Sequence, residues 1–213
     1  MKNIKIAIGV PLSHNSVPIE FFESFIQMKK PVSHMFLRAG GYQGVDSMRN
    51  QLVKAAMQYS CTHILFLDVD HRHHPDTIPK LLSHNLPIVS GLSYMRNDPY
   101  EPCLFRGIIN NYKTVTEWED GELIEVDSVG GACLLVDIEV LKKIKDPFLK
   151  FMENPDPTVE FAIGEDVYFC NRAKQEGYKI YVDTSIQNSH LGIVEVNKEF
   201  SEKWNGRENG TQV

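Results

Sequence analysis

The stretch HILFLDVD, residues 63–70, decides the fold class of this chain. Its middle part, residues 64–67, is continuously apolar without alternation, which is typical of a strand covered on both faces in a parallel sheet. We therefore expect this strand at the centre of the sheet. Two carboxylates, Asp68 and Asp70, follow it at the strand's carboxyl end, where ligands bind in open α/β sheets.

The rest of the chain carries strand and helix patterns in an order that predicts an α/β domain. Up to residue 91 the two patterns alternate, as in a parallel sheet whose strands are joined by helices. From about Pro102 three short strand patterns follow one another, which predicts a small antiparallel insertion. The predicted strands span residues 5–10, 32–37, 63–68, 88–91, 103–108, 114–118, 123–126, 131–137 and 179–183, and the predicted helices span residues 18–29, 46–59, 75–83, 138–144 and 166–176.

Composition and charge limit the class of protein. The chain has 213 residues, 42% of them hydrophobic, and a formal net charge of -6. This balance provides no basic stripe for a phosphate backbone, so dedicated duplex binding is disfavoured. No apolar run approaches the roughly 20 residues that cross a bilayer, and the four scattered cysteines include no C-x-x-C pair. We expect a single cytoplasmic domain over residues 1–204 with a flexible tail over residues 205–213.

Asp68 and Asp70 form a D-x-D pair directly after the apolar strand. If the extended conformation continues, a spacing of two residues directs both carboxylates to the same side, close enough to share one hard divalent cation. The alternative is a solvated turn, in which aspartate is common.

Two further segments carry groups suited to the same edge of the sheet. Glu165 and Asp166 stand after Gly164 at the start of a predicted helix, where acidic residues also occur simply because they suit the helix dipole. His190 follows the last predicted strand, although a lone histidine is more often a surface or core residue than a ligand. We expect at least one of the two carboxylates to point over the sheet edge.

Six segments form a set that is more specific than any one of them. They are LDVD (67–70), PDTI (75–78), SVGGACLL (128–135), GEDVYFC (164–170), GYKI (177–180) and SHLG (189–192). In this order, from about residue 4 to residue 192, the chain resembles a compact GT-A glycosyltransferase of the family-two type. The resemblance implies a Rossmann-like, mostly parallel central sheet flanked by helices with a small antiparallel insertion. It also implies a nucleotide-sugar donor, usually a UDP-sugar, and Mn²⁺ or Mg²⁺ as cofactor.

The resemblance implies a role for each candidate site residue. Asp70 is then the principal metal ligand, Asp68 contacts the ribose or the metal, and His190 completes the metal shell. Asp166 is the general base that takes the proton from the acceptor hydroxyl, with Glu165 beside it orienting the acceptor or the base. An in-line displacement of this kind inverts the anomeric centre.

Further residues are expected around the donor. By the same resemblance, Pro11, Leu12 and Ser13 receive the nucleobase and ribose, Arg49 reaches the nucleotide, and the backbone of Gly130 and Gly131 approaches the donor sugar, which the missing Cβ atoms permit. The run His71-Arg72-His73-His74 is unusual after a D-x-D pair. Three alternatives remain for this run: His71 is a further metal ligand, the run supplies a positive charge for a phosphate group, or it is a solvated loop.

Two other functions fit part of the pattern. An apolar strand followed by D-x-D is also the nucleophile motif of haloacid-dehalogenase-like phosphohydrolases, with Asp68 as the nucleophile. A nonenzymatic nucleotide-sugar-binding protein would carry the same metal and donor groups. For a transferase, the sequence leaves the acceptor open among a polysaccharide, a protein, a lipid carrier and a modified nucleobase.

Overall fold

The computed structural model describes residues 3–109, 111–153, 162–192 and 195–207 of the chain. The strands are β1 (Lys5–Leu12), β2 (Ser33–Gly40), β3 (His63–Leu67), β4 (His71–Arg72), β5 (Ile88–Leu92), β6 (Leu104–Ile108), β7 (Asn111–Thr114), β8 (Leu123–Val126), β9 (Ser128–Val129), β10 (Cys133–Asp137), β11 (Ile180–Gln187) and β12 (Ser189–His190). The helices are α1 (Ile19–Gln27), α2 (Val45–Gln58), α3 (Thr77–Ser83), α4 (Ile138–Ile144), α5 (Glu165–Gln175) and α6 (Lys198–Arg207).

Seven strands form the main sheet in the order β2-β1-β3-β10-β5-β11-β8. Strand β1 pairs in parallel with β2 and β3, and β5 pairs in parallel with β11. Strands β10 and β8 run antiparallel to their neighbours, so five of the seven strands share one direction. The middle position therefore belongs to β10 and not to β3, which was the predicted centre. Both strands are buried on both faces, so burial alone does not distinguish their positions.

Alternating side chains of the buried strands pack on opposite faces of the sheet. Ile64 and Phe66 of β3 face one apolar core, to which helices α2, α4 and α5 also contribute. Leu65 and Leu67 face a second core with side chains of α1 and α3. A strand with a core on each face has no polar side, which explains the unbroken apolar run in its sequence.

The predicted antiparallel insertion is smaller than the sequence pattern indicates. Strands β7, β6 and β9 form a three-stranded sheet, whereas β8 joins the edge of the main sheet. The strand predicted over residues 114–118 is wrong, because Asn111 pairs with Ile108 and β7 ends at Thr114. The register with β6 determines where β7 begins and ends. The alternating pattern after Thr114 carries no information about that register.

The end of the described chain contains a helix that the sequence patterns did not predict. Helix α6 reaches Arg207, three residues past the predicted domain end, and residues 208–213 of the expected tail lie outside the described residues. Residues 146–157, whose content of proline and acidic residues predicts a loop, also lie partly outside them. None of the described helices combines the length and apolar content required to cross a lipid bilayer.

Candidate functional site

The polar groups of the site gather where β1 and β3 end. One cavity of about 650 Å³ there is lined by Pro11, Ser13, Asp68, Asp70 and Arg96, among others. A smaller cavity of about 210 Å³ includes Asp68 again, together with Arg49, Gly130, Gly131, Glu165, Asp166, His71 and His190. Parallel strands end at the same edge, which is why residues distant in the sequence meet here.

Three side chains form a group that can hold a metal ion. One ligand atom each from Asp70, His71 and His190 lies within 4.8 Å of the others. The pairing of β12 with β4 sets His190 directly opposite His71, and their rings stack with centroids 4.1 Å apart. Asp70 contacts His71 Nδ1 at 2.9 Å through Oδ1 and His190 Nε2 at 3.1 Å through Oδ2.

The orientation of His190 favours cation binding. Its Nδ1 donates to the Tyr94 carbonyl at 2.8 Å, because a carbonyl oxygen can only accept. In the neutral ring, Nε2 then carries a lone pair that faces the Asp70 carboxylate. Two acceptors in that position repel unless a proton or a metal ion lies between them. A carboxylate oxygen and imidazole nitrogens are ordinary ligands of divalent transition metals.

The same contacts shift the pKa values within this group. Burial raises the pKa of Asp70, but the hydrogen bonds and charges of His190 and His71 outweigh burial and hold that pKa well below its usual range. Burial lowers the pKa of His71, against the opposing effect of its hydrogen bond to Asp70. An ionised carboxylate beside a neutral imidazole is the protonation state that a metal ion requires.

Arg49 is the centre of a second, buried charge cluster. The residue is 2% exposed, and its Nη2 donates to both carboxylate oxygens of Asp68 at 2.7 and 2.8 Å. Its Nη1 donates to Glu165. Burial lowers the pKa of Arg49, but the charges of Asp68, Glu165 and Asp166 outweigh burial and raise it. One guanidinium therefore pairs with two carboxylates, Asp68 and Glu165, and is influenced by the charge of a third, Asp166.

Glu165 has the most altered carboxyl group of this cluster. Burial raises the pKa of Glu165 to about 7, and the charge of Asp166 adds to the effect although Arg49 opposes it. Arg49 offsets the effect of burial only in part, because Asp68 takes two of the hydrogen bonds that Arg49 offers. Glu165 therefore changes its charge near neutral pH, whereas an ordinary glutamate is ionised there.

Asp166 borders the small cavity and is partly exposed. Its Oδ2 accepts from the backbone N–H of Gly131 at 3.2 Å, and its Oδ1 accepts from the N–H of Val167 at 2.8 Å. A Cβ atom at Gly131 would overlap the guanidinium of Arg49. The absence of a side chain at Gly131 thus lets Arg49 and Asp166 approach the same backbone segment.

The structure brings together many of the residues that the sequence singled out. Asp70 and His190 lie together, as the resemblance implied. His71, which the sequence offered as an additional ligand from the histidine run, lies beside them. Asp68 stands outside that triad and pairs with Arg49. Pro11 and Ser13 line the large cavity, while Leu12 ends β1 and is not among its lining residues.

Arg49 does not line the large cavity, where the sequence placed it against a nucleotide; it lies buried in the small one. The basic residue that does line the large cavity is Arg96, which contacts Asp70 at 3.3 Å and which sequence reasoning missed. The feature that could have indicated Arg96 is its position shortly after β5, because that strand ends at the same edge of the sheet as β3.

Comparisons with known proteins identify the fold and leave the family open. No family model matches the chain, and no curated protein sequence matches it. A197 from STIV superposes with a TM-score of 0.67 at 19% identity, over 92% of this chain and 91% of that one. GalNAc-T7, whose structure contains UDP, GalNAc and Mn²⁺, superposes with a TM-score of 0.61 at 12% identity, over 90% of this chain and 44% of its own. The chain has the GT-A fold.

A third solved structure of this fold class extends the comparison. S. aureus TarS, residues 1–349, superposes with a TM-score of 0.51 at 14% identity, over 85% of this chain and 58% of its own. The chain thus spans about half the length of GalNAc-T7 and of this TarS fragment. These neighbours share with the chain the GT-A fold that the resemblance in the sequence implied.

Proposed function

We propose that the chain is a metal-dependent glycosyltransferase that moves a sugar from a nucleotide-diphosphate donor, a UDP-sugar, to an acceptor hydroxyl. The observation that carries the proposal is the Asp70–His71–His190 group, because it borders both cavities of the site. A partly exposed carboxylate, Asp166, borders the smaller one. GalNAc-T7, of the same fold, was solved with UDP and Mn²⁺, which supports this choice of donor and metal.

The composition of the ligand group favours Mn²⁺ over Mg²⁺. Mg²⁺ is held almost entirely by oxygen atoms, whereas imidazole nitrogens suit transition metals. Two of the three groups here are imidazoles, His71 and His190. When bound, such a cation stabilises the negative charge that develops on a leaving diphosphate.

The large cavity is the proposed place of the donor. Pro11 and Ser13 line one part of it, and the carboxylates of Asp68 and Asp70 line another. Arg96 adds a positive charge to a wall that is otherwise acidic. An acidic protein, with a net charge of -6, binds a dianionic donor in this way, because its carboxylates first bind the cation.

Asp166 is the proposed general base. Its backbone hydrogen bonds from Gly131 and Val167 fix the carboxylate at the wall of the small cavity. Glu165 is the proposed positioning residue beside it, held through Arg49, which also holds Asp68. Attack by the acceptor hydroxyl from the face opposite the leaving diphosphate inverts the anomeric centre.

The pairing of Asp68 also bears on the phosphohydrolase alternative. A phosphatase of that kind needs a strongly nucleophilic carboxylate, but both oxygens of Asp68 accept charge-assisted hydrogen bonds from the buried guanidinium of Arg49, which makes them weaker nucleophiles. Asp68 is suited to orienting neighbouring groups and poorly placed to act as a nucleophile.

Two measurements test the proposal. Calorimetric titration with UDP, with and without Mn²⁺, measures donor binding, and the slow hydrolysis of UDP-sugars in the absence of an acceptor measures turnover. Asp70→Asn should abolish the Mn²⁺-dependent part of UDP binding, because the charged ligand is lost. Asp166→Asn should leave UDP binding unchanged and lower turnover by about 10²–10⁴-fold, the usual size of general-base catalysis. Asp76→Asn, which removes a carboxylate paired with Lys29 away from the site, is the matched control.

Normal turnover by Asp166→Asn, or a product with retained configuration by NMR, would contradict the role of Asp166. Mn²⁺-dependent UDP binding without any turnover of UDP-sugars would instead favour a nonenzymatic binding protein. Steady hydrolysis of p-nitrophenyl phosphate that is lost in Asp68→Asn would favour the phosphohydrolase.

A further inference from the structure

A cavity of about 490 Å³ lies beside the site and takes no part in the functions assigned above. Helix α6 forms one wall, and the segments before β6 and after β7 form the others. Its lining residues include Tyr94, Glu101, Thr116, Glu117, Trp118, Lys198 and Glu202. We call it the Trp118 cavity.

Tyr94 connects the Trp118 cavity to the site, since it lines both this cavity and the small cavity of Asp166. Its backbone carbonyl accepts from His190 Nδ1 at 2.8 Å. Burial first, and then the charges of Glu202 and Asp120, raise the pKa of its phenol, and Glu202 also lines the Trp118 cavity. The hydroxyl of Tyr94 is thus a protonated donor.

The hydroxyl of Tyr94 has an unsatisfied hydrogen-bonding capacity. The residue is 1% exposed, and its phenolic oxygen has no hydrogen-bond partner among the described residues. Buried polar groups of proteins nearly always have one, because leaving a donor unpaired away from water costs free energy. A buried, unpaired donor at the wall of a cavity indicates a ligand that accepts from it.

The other walls define the chemistry of that ligand. Trp118 is half-buried and offers an aromatic face, and the carboxylates of Glu101, Glu117 and Glu202 offer hydrogen-bond acceptors. Lys198, the one cation among the described residues of the lining, is already paired with Asp120 and lies 4.0 Å from Glu202. An acidic ligand would therefore meet like charges, which costs free energy.

We propose that the Trp118 cavity binds a neutral saccharide unit of the acceptor, with the sugar ring against Trp118, its hydroxyls donating to the glutamates and one oxygen accepting from Tyr94. The proposal rests on the proposed transferase function, because it places the acceptor in the cavity next to the one that Asp166 borders, with Tyr94 lining both. Lys198 and Glu202 at the rim are on a surface helix, where side chains change rotamer readily, and such movement admits the ligand to the buried hydroxyl.

Tryptophan fluorescence tests the proposal directly, because the chain has two tryptophans and one of them is Trp118. In the variant Trp204→Phe, Trp118 is the single source of tryptophan fluorescence. Maltose, cellobiose, lactose and chitobiose are titrated without donor or metal, beside a disaccharide that contains glucuronic acid. We expect a saturable change at millimolar concentration with at least one neutral disaccharide, and none with the acidic one. Trp204 packs against Tyr100 and Phe200, so its substitution alters the packing there. Saturation-transfer NMR therefore repeats the binding measurement on the unaltered chain.

Tyr94→Phe separates a binding role from a structural one. Removing the unpaired hydroxyl should weaken the disaccharide by about 2- to 12-fold, the size of one neutral hydrogen bond, and should leave the melting temperature unchanged or higher. Tyr112→Phe, at a tyrosine on β7 outside the cavity, is the matched control and should change neither. Trp118→Leu, followed by NMR, should lose the saccharide signal.

Each remaining outcome decides the question. The proposal is overturned if no neutral disaccharide gives a saturable change, if the acidic one binds better, or if Tyr94→Phe binds the ligand as tightly as the unaltered chain. If UDP-sugars are turned over but no saccharide binds at Trp118, the transferase function stands and the proposed acceptor site is overturned. Saccharide binding without UDP binding would keep a saccharide site and overturn both its acceptor role and the proposed function.

Discussion

Arg49 governs the charge balance of the site at the scale of single residues. Its guanidinium is the cation between Asp68 and Glu165, both far away along the chain. A buried arginine with two carboxylate partners is stable only as a set, because removal of one member leaves an unpaired buried charge. The sequence indicated Asp68, Glu165 and Arg49 separately, but no local pattern indicates that they bind one another.

Glu165 should make the stability of the protein fall as the pH rises toward neutrality. Its pKa is raised from 4.5 to about 7 in the folded chain, so between these values the folded state holds a proton that the unfolded state has lost. The contribution of Glu165 to stability is then fully present below about pH 4.5 and is lost as the pH rises through 7, by up to about 3 kcal/mol. Urea denaturation across this range, with Glu165→Gln for comparison, measures the effect.

The glutamine variant keeps an oxygen acceptor for Arg49 but cannot ionise, so its stability should lack this component of the pH dependence. We expect the unaltered chain to lose stability relative to Glu165→Gln as the pH rises. If the unaltered chain instead gained stability relative to the variant with rising pH, Arg49 would lower the pKa of Glu165 and the raised value would be contradicted.

At the scale of elements, helix α4 shows a local signal that the sequence pattern and the structure share. Its predicted and observed bounds agree, Ile138–Ile144. Asp137 stands at the N-cap, where its Oδ1 accepts from the N–H of Glu139 at 2.8 Å. Both the apolar spacing and the cap are contained in a few neighbouring residues, so sequence reasoning suffices there.

Loss of this cap should destabilise the protein. Asp137→Ala removes the side-chain acceptor of the Glu139 N–H in the first turn and should lower the free energy of unfolding by about 1 kcal/mol. Asp137→Asn is the matched control, because asparagine caps about as well as aspartate. Thermal or urea denaturation of the three proteins measures the difference; equal loss in both variants would mean that charge, and not capping, is the contribution.

Strand β7 is the counter-example among the elements. Its bounds depend on the register with β6, in which Ile108 lies opposite Asn111. Strand β8 likewise pairs with β11, a strand more than fifty residues later in the chain. Partners of this kind are chosen by tertiary packing, and the short alternating runs of the sequence are compatible with several of them.

At the scale of the whole molecule, a bound cation should stabilise the fold, because the cluster joins the neighbours Asp70 and His71 to His190, which is far away along the chain. A ligand that binds only the folded state stabilises it by about 2.7 kcal/mol at 100 times its Kd. For a chain of this size that corresponds to a rise of roughly 5–11 °C in Tm. Differential scanning fluorimetry with and without Mn²⁺ measures it.

His190→Ala should abolish the Mn²⁺-dependent rise in Tm. His34→Ala is the control, since His34 lies exposed on the edge strand β2 and outside the cluster. An equal rise in both variants would place the metal elsewhere on the protein.

The sequence by itself determined the α/β class, most of the helices and the positions along the chain of the acidic pairs and His190. These follow from local periodicity and from the rule that ligands meet the carboxyl ends of parallel strands. Only the tertiary structure decided that β10 occupies the middle of the sheet, that Arg49 is buried against Asp68 and Glu165, and that Arg96 reaches the large cavity. The physical reason is that each of these depends on contacts between residues far apart in sequence, and a local pattern carries no record of its partner.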